Sequence, residues 1–520
     1  MREWASSGAL SISERHRLQL RNERSRDHIM IARREVELKL QLDMVNIDML
    51  VAAPFLANVK MQEQVQTSVY FDTPEHAVRK IGLSLRVRTV GKQRLQTLKA
   101  ESMSAAGLFA RPEWEMPIRK NQPVIGGRGN PLPKLITARD LRRLAPIFRI
   151  VVTRKIYYIE KDGAKIELVL DQGEIVADCE NVSICEVELE LKEGLPAPLF
   201  SLARALNKIV PLQLSNLSKA QLGYQMLERN VDEPIKWTPP PLKSDMTTSE
   251  GFEAIAHGCI RQFRLNQSIL ARIDSPEALH QARVALRRLR SALSIFEPAV
   301  TDNRSDHLTM ELRWIAGELD SARNLDVLLE RLTDHAAQVP LQLAREYAYA
   351  TATAALGSPR LRKLMFDLVE WITIGNWRSE YSADMAGQQL DKFAEAALGS
   401  CRRHVKRRGR HWKRLDDKAR HKLRIQAKKL RYAADFFGML FHTTKAVRRH
   451  KLFLEALREL QAKLGDLNDR ITGAALLEEL GLPNVKIRTT AKGKQQKRNA
   501  MLQDALKAYR ALVDAKRFWR

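Results

Sequence analysis

Charged side chains alternate with aliphatic ones at several places between residues 33 and 226. The first run is Glu35-Val36-Glu37-Leu38-Lys39-Leu40, and similar runs occur at 83–88, 97–99, 111–115, 167–171 and 186–192. Successive residues of a strand point to opposite faces, so each run presents its charges on one face and its aliphatic residues on the other. A single run would indicate the wet face of an antiparallel sheet. Six runs predict a barrel with a charged interior.

The residue types in these runs indicate the chemistry of that interior. Carboxylate oxygens are the preferred ligands of hard ions such as Mg²⁺, which is commonly shared with substrate phosphates. Arginine binds phosphate through two parallel hydrogen bonds, whereas lysine acts as a point charge. The mixture predicts a site for a metal-bound chain of phosphoryl groups. Phosphoryl transfer at such a site needs positioning and charge stabilisation rather than a covalent nucleophile.

Further motifs follow in a fixed order along the same region. They are Tyr70-Phe71-Asp72-Thr73-Pro74, Leu85-Arg86-Val87-Arg88, Thr97-Leu98-Lys99, Gly107-Leu108, Arg111-Pro112-Glu113, Asp171-Gln172-Gly173-Glu174, residues 184–190 and Leu217-Ser218-Lys219-Ala220. Together with Glu35-x-Glu37-x-Lys39, these motifs make residues 33 to about 228 resemble the CYTH superfamily, the triphosphate tunnel metalloenzymes, and within it the bacterial inorganic triphosphatases. The resemblance implies an eight-stranded antiparallel β tunnel that hydrolyses triphosphate to diphosphate and phosphate with Mg²⁺ or Mn²⁺.

The resemblance also implies roles for individual residues. The implied metal ligands are Glu35 and Glu37, with Glu186, Glu188 and Glu190 facing them, and which of those three coordinates stays open. The implied phosphate-binding bases are Lys39, Arg86, Arg88, Lys99, Arg111, Arg154 and Lys219. The implied acids that order metal or water are Glu113, Glu115 and Asp171.

Beyond residue 229 the pattern changes. Residues 230–248 include three consecutive prolines and several polar residues, which predicts an extended linker and a domain boundary. After the linker, apolar residues such as Leu279, Leu286 and Leu293 recur at helical spacing, which predicts amphipathic helices. The predicted fold class is therefore α+β, with a β barrel followed by an all-α domain.

Two basic stripes repeat within the helical half. On a helix, residues at i, i+3, i+7 and i+10 lie along one narrow stripe. The two stripes are His280, Arg283, Arg287 and Arg290, and His421, Arg424, Lys428 and Arg431. These motifs make residues 249–512 resemble the CHAD domain, which implies two related helical bundles that bind inorganic polyphosphate. In the first copy Asp320 stands where that pattern has glycine, and Asn324 where it has aspartate.

The charge balance agrees with an anionic partner. The 520 residues carry a formal net charge of +26, and residues 241–520 hold 51 Lys and Arg against 32 Asp and Glu. The aromatic content of 6% gives few surfaces for stacking bases, which disfavours nucleic acid. The basic segment at 402–410 fits a solvated loop, a nucleic-acid patch or part of the phosphate groove.

Other sequence features concern location and domain bounds. No apolar run reaches the ~18 residues of a membrane span, and four scattered cysteines suggest reduced thiols, so we expect a cytoplasmic protein. The resemblance to the CHAD domain implies an association with polyphosphate granules. We expect 1–29 to be a disordered or spurious extension before Met30. The further predicted parts are 30–229 (CYTH), 230–248 (linker), 249–512 (CHAD) and 513–520 (tail).

Alternative functions remain open at this level. A non-catalytic polyphosphate-binding protein targeted to granules would carry the same basic surfaces. Thiamine triphosphatases and class IV adenylyl cyclases use the same tunnel, although the Asp171–Glu174 and Leu217–Ala220 motifs favour an inorganic triphosphatase. The preferred metal and the oligomeric state stay open.

Overall fold

The structure is a computed structural model that describes residues 31–100, 108–127, 129–177, 180–228, 232–332, 337–378, 386–482, 485 and 494–520. The expected extension at 1–29 lies outside these residues. Within them, the side chains at 31–35, 108–111, 468–474 and 494–497 are not described. The chain divides into two compact units, Met1–Val231 and Asp232–Arg520.

The first unit is built on one antiparallel sheet. Its strands are β1 (Ile31–Leu42), β2 (Met61–Asp72), β3 (Leu83–Val90), β4 (Gln93–Ala100), β5 (Leu108–Pro117), β6 (Ala145–Lys161), β7 (Ala164–Ala177), β8 (Glu180–Glu193) and β9 (Leu212–Leu214). Their order in the sheet is β5-β4-β3-β2-β6-β7-β8-β1-β9.

The sheet closes because β1 also pairs with β5, from Ile31 opposite Glu115 to Leu38 opposite Leu108. Eight strands thus form the ring, as the sequence predicts. The described strands number nine rather than eight, because the short β9 pairs with Leu40–Leu42 of β1 just beyond the end of β5. Closure leaves no edge on the ring for pairing with another chain.

Aliphatic residues on the outer face of the strands pack under helices. The helices of this unit are α1 (Ile47–Val51), α2 (Ala77–Lys80), α3 (Leu132–Leu135), α4 (Ala138–Arg142), α5 (Ala197–Ile209) and α6 (Lys219–Glu228). One outer core contains Leu85, Val87, Leu98 and Leu132. Leu85 and Val87 alternate with Arg86 and Arg88, so burying the aliphatic residues directs the arginines inward.

Helix α6 occupies the apolar part of the barrel interior. Its Ala220 and Tyr224 pack with Phe148, Ile150 and other residues on the same face of the strands as the charged side chains. A Cβ on Gly223 would lie 2.3 Å from the Phe148 ring, so this close approach requires glycine. The Tyr224 hydroxyl donates a 2.7 Å hydrogen bond to Asp72, which fixes the helix to β2.

The second unit is helical. Its helices are α7 (Thr248–Leu270), α8 (Pro276–Phe296), α9 (Ser305–Glu318), α10 (Asp320–Glu330), α11 (Gln338–Gly357), α12 (Pro359–Ile374), α13 (Leu390–Gly409), α14 (Asp417–Phe437), α15 (Thr444–Glu479) and α16 (Lys494–Asp514). Capping residues define several starts: Thr247 and Glu250 form a capping box on α7, and Ser275 accepts from Ala278 N on α8. Across the described residues, no helix is both long and apolar enough to cross a membrane.

The sequence repeat appears as two helical hairpins, α7–α8 and α13–α14. Their first helices meet at equivalent ends, where Thr248 N donates to Gln388 O at 2.8 Å and Leu390 N donates to Met246 O at 2.9 Å. The second helices also meet, because Lys429 Nζ on α14 donates to Ser294 O on α8 at 3.0 Å. The two basic stripes therefore lie on neighbouring helices.

The segments flanking the helices are part of this unit. Residues 232–247, predicted to be an extended spacer, form no α-helix, but they lie against α7: Asn266 Nδ2 donates to Ile235 O at 2.9 Å. At the other end, within the predicted tail, Phe518 and Trp519 are buried against Phe453.

Candidate functional site

Strand register places the predicted tunnel residues on one face of the barrel wall. Lys39 is opposite Glu188, Asp171 is opposite both Glu186 and Arg154, and opposed residues share a face of the sheet. The same holds on the other half of the ring, where Arg86 is opposite Thr97 and Lys99 is opposite Glu113. Closure makes this face the interior, where Glu37, Lys39, Asp171, Glu186 and Glu188 are all less than 10% exposed.

Lys219, the first residue of α6, is the centre of an acidic cluster. Its Nζ lies 2.7 Å from Glu186, 2.8 Å from Glu188 and 2.9 Å from Asp171. These acids stand on β7 and β8, so one ammonium joins the helix to two strands. The cluster brings together three of the predicted acids and one predicted base.

Two further bases, Lys39 and Arg154, contact the same carboxylates. Together with Glu37 and the cluster around Lys219, they form what is here called the acidic side of the interior. Lys39 Nζ contacts Glu188 and lies 3.1 Å from Glu37. Arg154 donates two hydrogen bonds to Asp171, of 2.7 and 2.6 Å, and one of 3.2 Å to Glu188. Glu188 is therefore shared by three cations.

Electrostatics keep this cluster charged. Burial would raise the pKa of Glu188, but Lys219, Lys39 and Arg154 together hold it well below its ordinary value. The pKa of Asp171 is lowered in the same way, because Lys219 and Arg154 outweigh burial. Conversely, burial would lower the pKa of Lys219, but the three carboxylates raise it well above its ordinary value.

The opposite side of the interior is richer in bases. Glu113 accepts from Lys99 at 3.0 Å and lies 3.8 Å from Arg86. Burial opposes the charged form of Arg86, but Tyr70, which is hydrogen-bonded to it, and Glu113 raise its pKa. Glu115 accepts a 3.3 Å hydrogen bond from Thr97.

Arg88 is the least neutralised cation of the barrel interior. It forms no ion pair with any residue whose side chain the structure describes. Burial, together with the neighbouring Arg86 and Arg154, lowers its pKa to about 10. The Nε atoms of Arg86 and Arg88 are both buried, and neither has a hydrogen-bond partner among the side chains that the structure describes. Buried N–H groups in this state favour an anionic ligand, because leaving them unpaired is unfavourable.

Three predicted residues differ from the others: two have side chains that the structure does not describe, and the third is more exposed. The side chains of Glu35 and Arg111 lie outside the described residues, although their backbones pair across β1 and β5. Glu190 lies on the interior face, but it is 28% exposed and contacts Lys192 at 2.7 Å. Glu190 thus lies at the more solvent-exposed edge of the acidic side.

Sequence reasoning missed the uncharged polar residues of the interior. Gln66, Ser68 and Thr97 are buried on that face, and Ser68 is opposite Arg88. The alternation of charged residues does not mark uncharged ones. The available signal was that Thr97 belongs to the Thr97-Leu98-Lys99 motif. Other motif residues are structural: Asp72 accepts from the backbone N–H groups of Thr73, Val78 and Arg79 at 2.7–3.0 Å.

The carboxylates of the acidic side are the kind of ligand that a divalent metal ion requires. Glu37, Glu186 and Glu188 offer the oxygen ligands that Mg²⁺ and Mn²⁺ prefer, and Lys39 and Lys219 link them into one cluster. Among residues with described side chains, no three His, Cys, Asp or Glu groups approach as ligands of a single ion. The two ammonium groups lie between the carboxylates and neutralise them in this arrangement.

A second charged site lies in the helical unit, where α8 and α14 bring the two basic stripes together. Burial, followed in order of effect by Arg287, Arg424, Arg431 and Arg283, lowers the pKa of Lys428 to about 7. These five residues, here called the basic cluster, come from both stripes. The Nε atoms of Arg287 and Arg431 are buried without a hydrogen-bond partner.

The other stripe residues are placed around the basic cluster. Burial together with Arg323 and Arg287 lowers the pKa of His280 to about 4, so this histidine is neutral near pH 7. Arg290 has a lowered pKa through burial and Arg313. His421 is exposed at the start of its stripe. The bases Arg313 and Arg323, on α9 and α10, were not predicted and could be found only from the packing.

The helical unit answers two questions that the sequence left open: what Asp320 contacts, and whether segment 402–410 is a loop. Asp320, which departs from the CHAD pattern, forms an ion pair with Arg283. The basic segment 402–410 is not a loop, because all but its last residue belong to α13, where Arg402 donates to Val513 O at 2.7 Å.

Comparison with known proteins agrees with both halves. The profile of the CYTH domain matches residues 33–224, and that of the CHAD domain matches residues 254–478. The chain therefore contains a region that matches the CYTH domain, followed by a region that matches the CHAD domain.

Individual relatives are similar over parts of the chain. An inorganic triphosphatase of Haemophilus influenzae is 31% identical over 202 residues, which are 38% of this chain and 56% of that protein, so the match spans about half of the relative. The CHAD domain of the plant Ricinus communis is 28% identical, with a TM-score of 0.42, over 54% of this chain and 93% of that one. HpAC1 of Hippeastrum, for which a dominant triphosphatase activity is described, is 20% identical, with a TM-score of 0.31, over 37% and 96%.

Proposed function

We propose that this protein is a metal-dependent inorganic triphosphatase, which hydrolyses tripolyphosphate to diphosphate and phosphate, and that its helical half binds polyphosphate. The observation that carries the proposal is the division of the barrel interior. Glu37, Glu186 and Glu188 line one side, while Arg86 and Arg88 on the other present buried N–H groups without partners. The similarity of 202 residues of the chain to the Haemophilus influenzae triphosphatase supports the same activity.

The interior suggests how the chain would act on its substrate. Arg86 and Arg88 bind the peripheral oxygens of the phosphate chain through their free Nε–H groups, and Lys99 adds a point charge. A divalent ion held by Glu37, Glu186 and Glu188 would supply charge neutralisation at the phosphoryl oxygens and a bound water.

Other residues hold these groups in position. Asp171 orients Arg154 through two hydrogen bonds, and Thr97 orients Glu115, whose other carboxylate oxygen can accept a proton from an attacking water. Helix α6 fills the apolar part of the interior and excludes water there. Excluding water strengthens each of the charge interactions.

Phosphate release from tripolyphosphate with Mg²⁺ or Mn²⁺ tests the enzymatic function. We expect Glu37→Gln and Glu188→Gln each to lower turnover by about 100-fold or more while the circular dichroism spectrum is retained. Glu193→Gln on β8 is the matched control, because Glu193 is 40% exposed and pairs with Lys165 at the surface. Equal turnover in all three variants would contradict the assignment of the acidic side.

The same assay separates the alternatives. A purely polyphosphate-binding protein would bind tripolyphosphate without releasing phosphate. A thiamine triphosphatase or a class IV adenylyl cyclase would prefer thiamine triphosphate or ATP in a substrate panel. We propose the inorganic substrate because the Haemophilus influenzae relative is an inorganic triphosphatase.

The proposal for the helical half is supported by the basic cluster. Five basic side chains on two packed helices, of which Arg283 pairs with Asp320, form a surface suited to a chain of phosphates. Binding of this kind would also hold the enzyme at polyphosphate granules.

A further inference from the structure

Lys428 has an environment unlike that of a surface lysine. Its side chain is half-buried on α14 and forms no ion pair among the residues that the structure describes. Arg424 and Arg431 stand four residues before and three residues after it on the same helix, and Arg283 and Arg287 face it from α8. A lysine that is partly desolvated beside other cations is deprotonated more readily, which activates it as a nucleophile.

The surrounding arginines also select the kind of reagent that reaches the amine. Arg287 and Arg431 present buried Nε–H groups that have no hydrogen-bond partner in the described part of the chain, which favour a phosphate oxygen. A small molecule that carries a phosphate and an electrophilic carbon would therefore be held with that carbon close to Nζ.

We propose that Lys428 is an acylation site that reacts with acyl phosphates without the help of another enzyme. The neutral amine of Lys428 attacks the acyl carbonyl carbon, a C–N bond forms, and the C–O bond to phosphate breaks. Phosphate leaves with the electron pair, and the amine proton passes to water. The product is an amide, which can no longer take up a proton and act as a cation of the basic cluster, so it is expected to weaken polyanion binding.

This inference rests in part on the proposal that the basic cluster binds phosphate, so the experiment separates the two. The full-length protein is incubated with acetyl phosphate at pH 7.5, and acetylation at each lysine is followed by mass spectrometry. Lys422, exposed on the same helix, is the internal comparison. We expect Lys428 to react roughly tenfold faster than Lys422, because its larger neutral fraction is only partly offset by the lower nucleophilicity of a less basic amine.

Two further arms make the result decisive. Arg287→Gln, with the circular dichroism spectrum as a folding control, should slow acetylation of Lys428 several-fold. The neutral reagent N-hydroxysuccinimidyl acetate should still prefer Lys428 in the unaltered protein, since that preference does not require anion binding. Acetylation of Lys428 no faster than of Lys422 with acetyl phosphate would overturn the inference.

Protection by tripolyphosphate tests the underlying binding site. We expect excess tripolyphosphate to suppress acetylation of Lys428 and not of Lys422. A preference for Lys428 that persists at saturating tripolyphosphate would support acylation while contradicting phosphate binding by the basic cluster.

Discussion

Lys219 Nζ lies 2.8 Å from Glu188 Oε1, which connects the first residue of α6 to β8 inside the barrel. The same ammonium contacts Asp171 and Glu186, so a single cation contacts three buried carboxylates. Lys219 therefore serves two purposes: it maintains the charge balance of the acidic side, and it fixes the helix that fills the apolar end.

Removing this ammonium should destabilise the barrel. We expect Lys219→Met to lower the free energy of unfolding by about 3 kcal/mol, because carboxylates would be left buried with fewer cations. Hydrogen exchange of β7 and β8, measured by mass spectrometry on the full chain, reports the effect locally. Lys165→Met, which breaks an ion pair that is 49% and 40% exposed, is the matched control and should change exchange little. Equal protection in both variants would argue against the shared role of Lys219.

In contrast to Lys219, we expect substitution of Arg88 to lower activity without lowering stability. Substitution to Met removes a partly buried cation that the described side chains leave without an ion pair and that lies near Arg86 and Arg154. We expect Arg88→Met to unfold at the same or a higher temperature, yet to lose turnover of tripolyphosphate by about 100-fold. Thermal unfolding and phosphate release check the two parts.

Arg154→Met is the informative comparison for Arg88. Arg154 donates two hydrogen bonds to Asp171, so its loss should reduce stability as well as activity. A destabilised Arg88→Met variant would show that Arg88 has a structural partner, and it would weaken the assignment of Arg88 to substrate binding.

The sequence predicted the interior face because side-chain direction in a strand has a period of two. Once Leu85 and Val87 are buried outside, Arg86 and Arg88 must point inward. The pairing among the interior charges was not predictable, since Lys39 and Glu188 are separated by 149 positions and meet only through closure of the sheet. The uncharged Gln66 and Ser68 were missed because a polar residue without charge carries little information about its side of a strand.

In the helical half, the sequence repeat predicted two basic stripes, but it did not predict that the two stripes lie next to each other in the fold. Each stripe follows from the helical period within α8 or α14. Their convergence depends on packing between helices that are 141 positions apart in the repeat, and so does the shifted pKa of Lys428. Local sequence contains neither relationship.

Convergence of the stripes predicts a salt-dependent polyanion site. We expect Arg287→Gln to weaken binding of polyphosphate and to reduce the slope of log K against log salt by about 1. Arg360→Gln, on α12, is the control, because Arg360 is 52% exposed and pairs with Glu311. Titration at several salt concentrations measures both, and identical slopes for the two variants would contradict the role of the basic cluster.

The acidic side of the barrel also predicts how stability depends on pH. Asp171 and Glu188 have lower pKa values in the folded chain than their ordinary values of 3.8 and 4.5, so the unfolded chain binds more protons when the pH is low. Their contribution is fully present above about pH 5 and is lost as the pH falls toward the folded pKa values. The raised pKa of Lys219 has the opposite sign, and its contribution is lost only as the pH rises above 10.5.

We therefore expect the protection of β7 and β8 to be level between pH 6 and 9 and to fall steeply below pH 4.5. Hydrogen exchange corrected for the intrinsic rate at each pH measures this dependence. Glu188→Gln should show a shallower fall, because one of the titrating carboxylates is absent. Protection of β7 and β8 that is as strong at pH 3 as at pH 6 would mean that the buried carboxylates do not depend on their ionised state for stability.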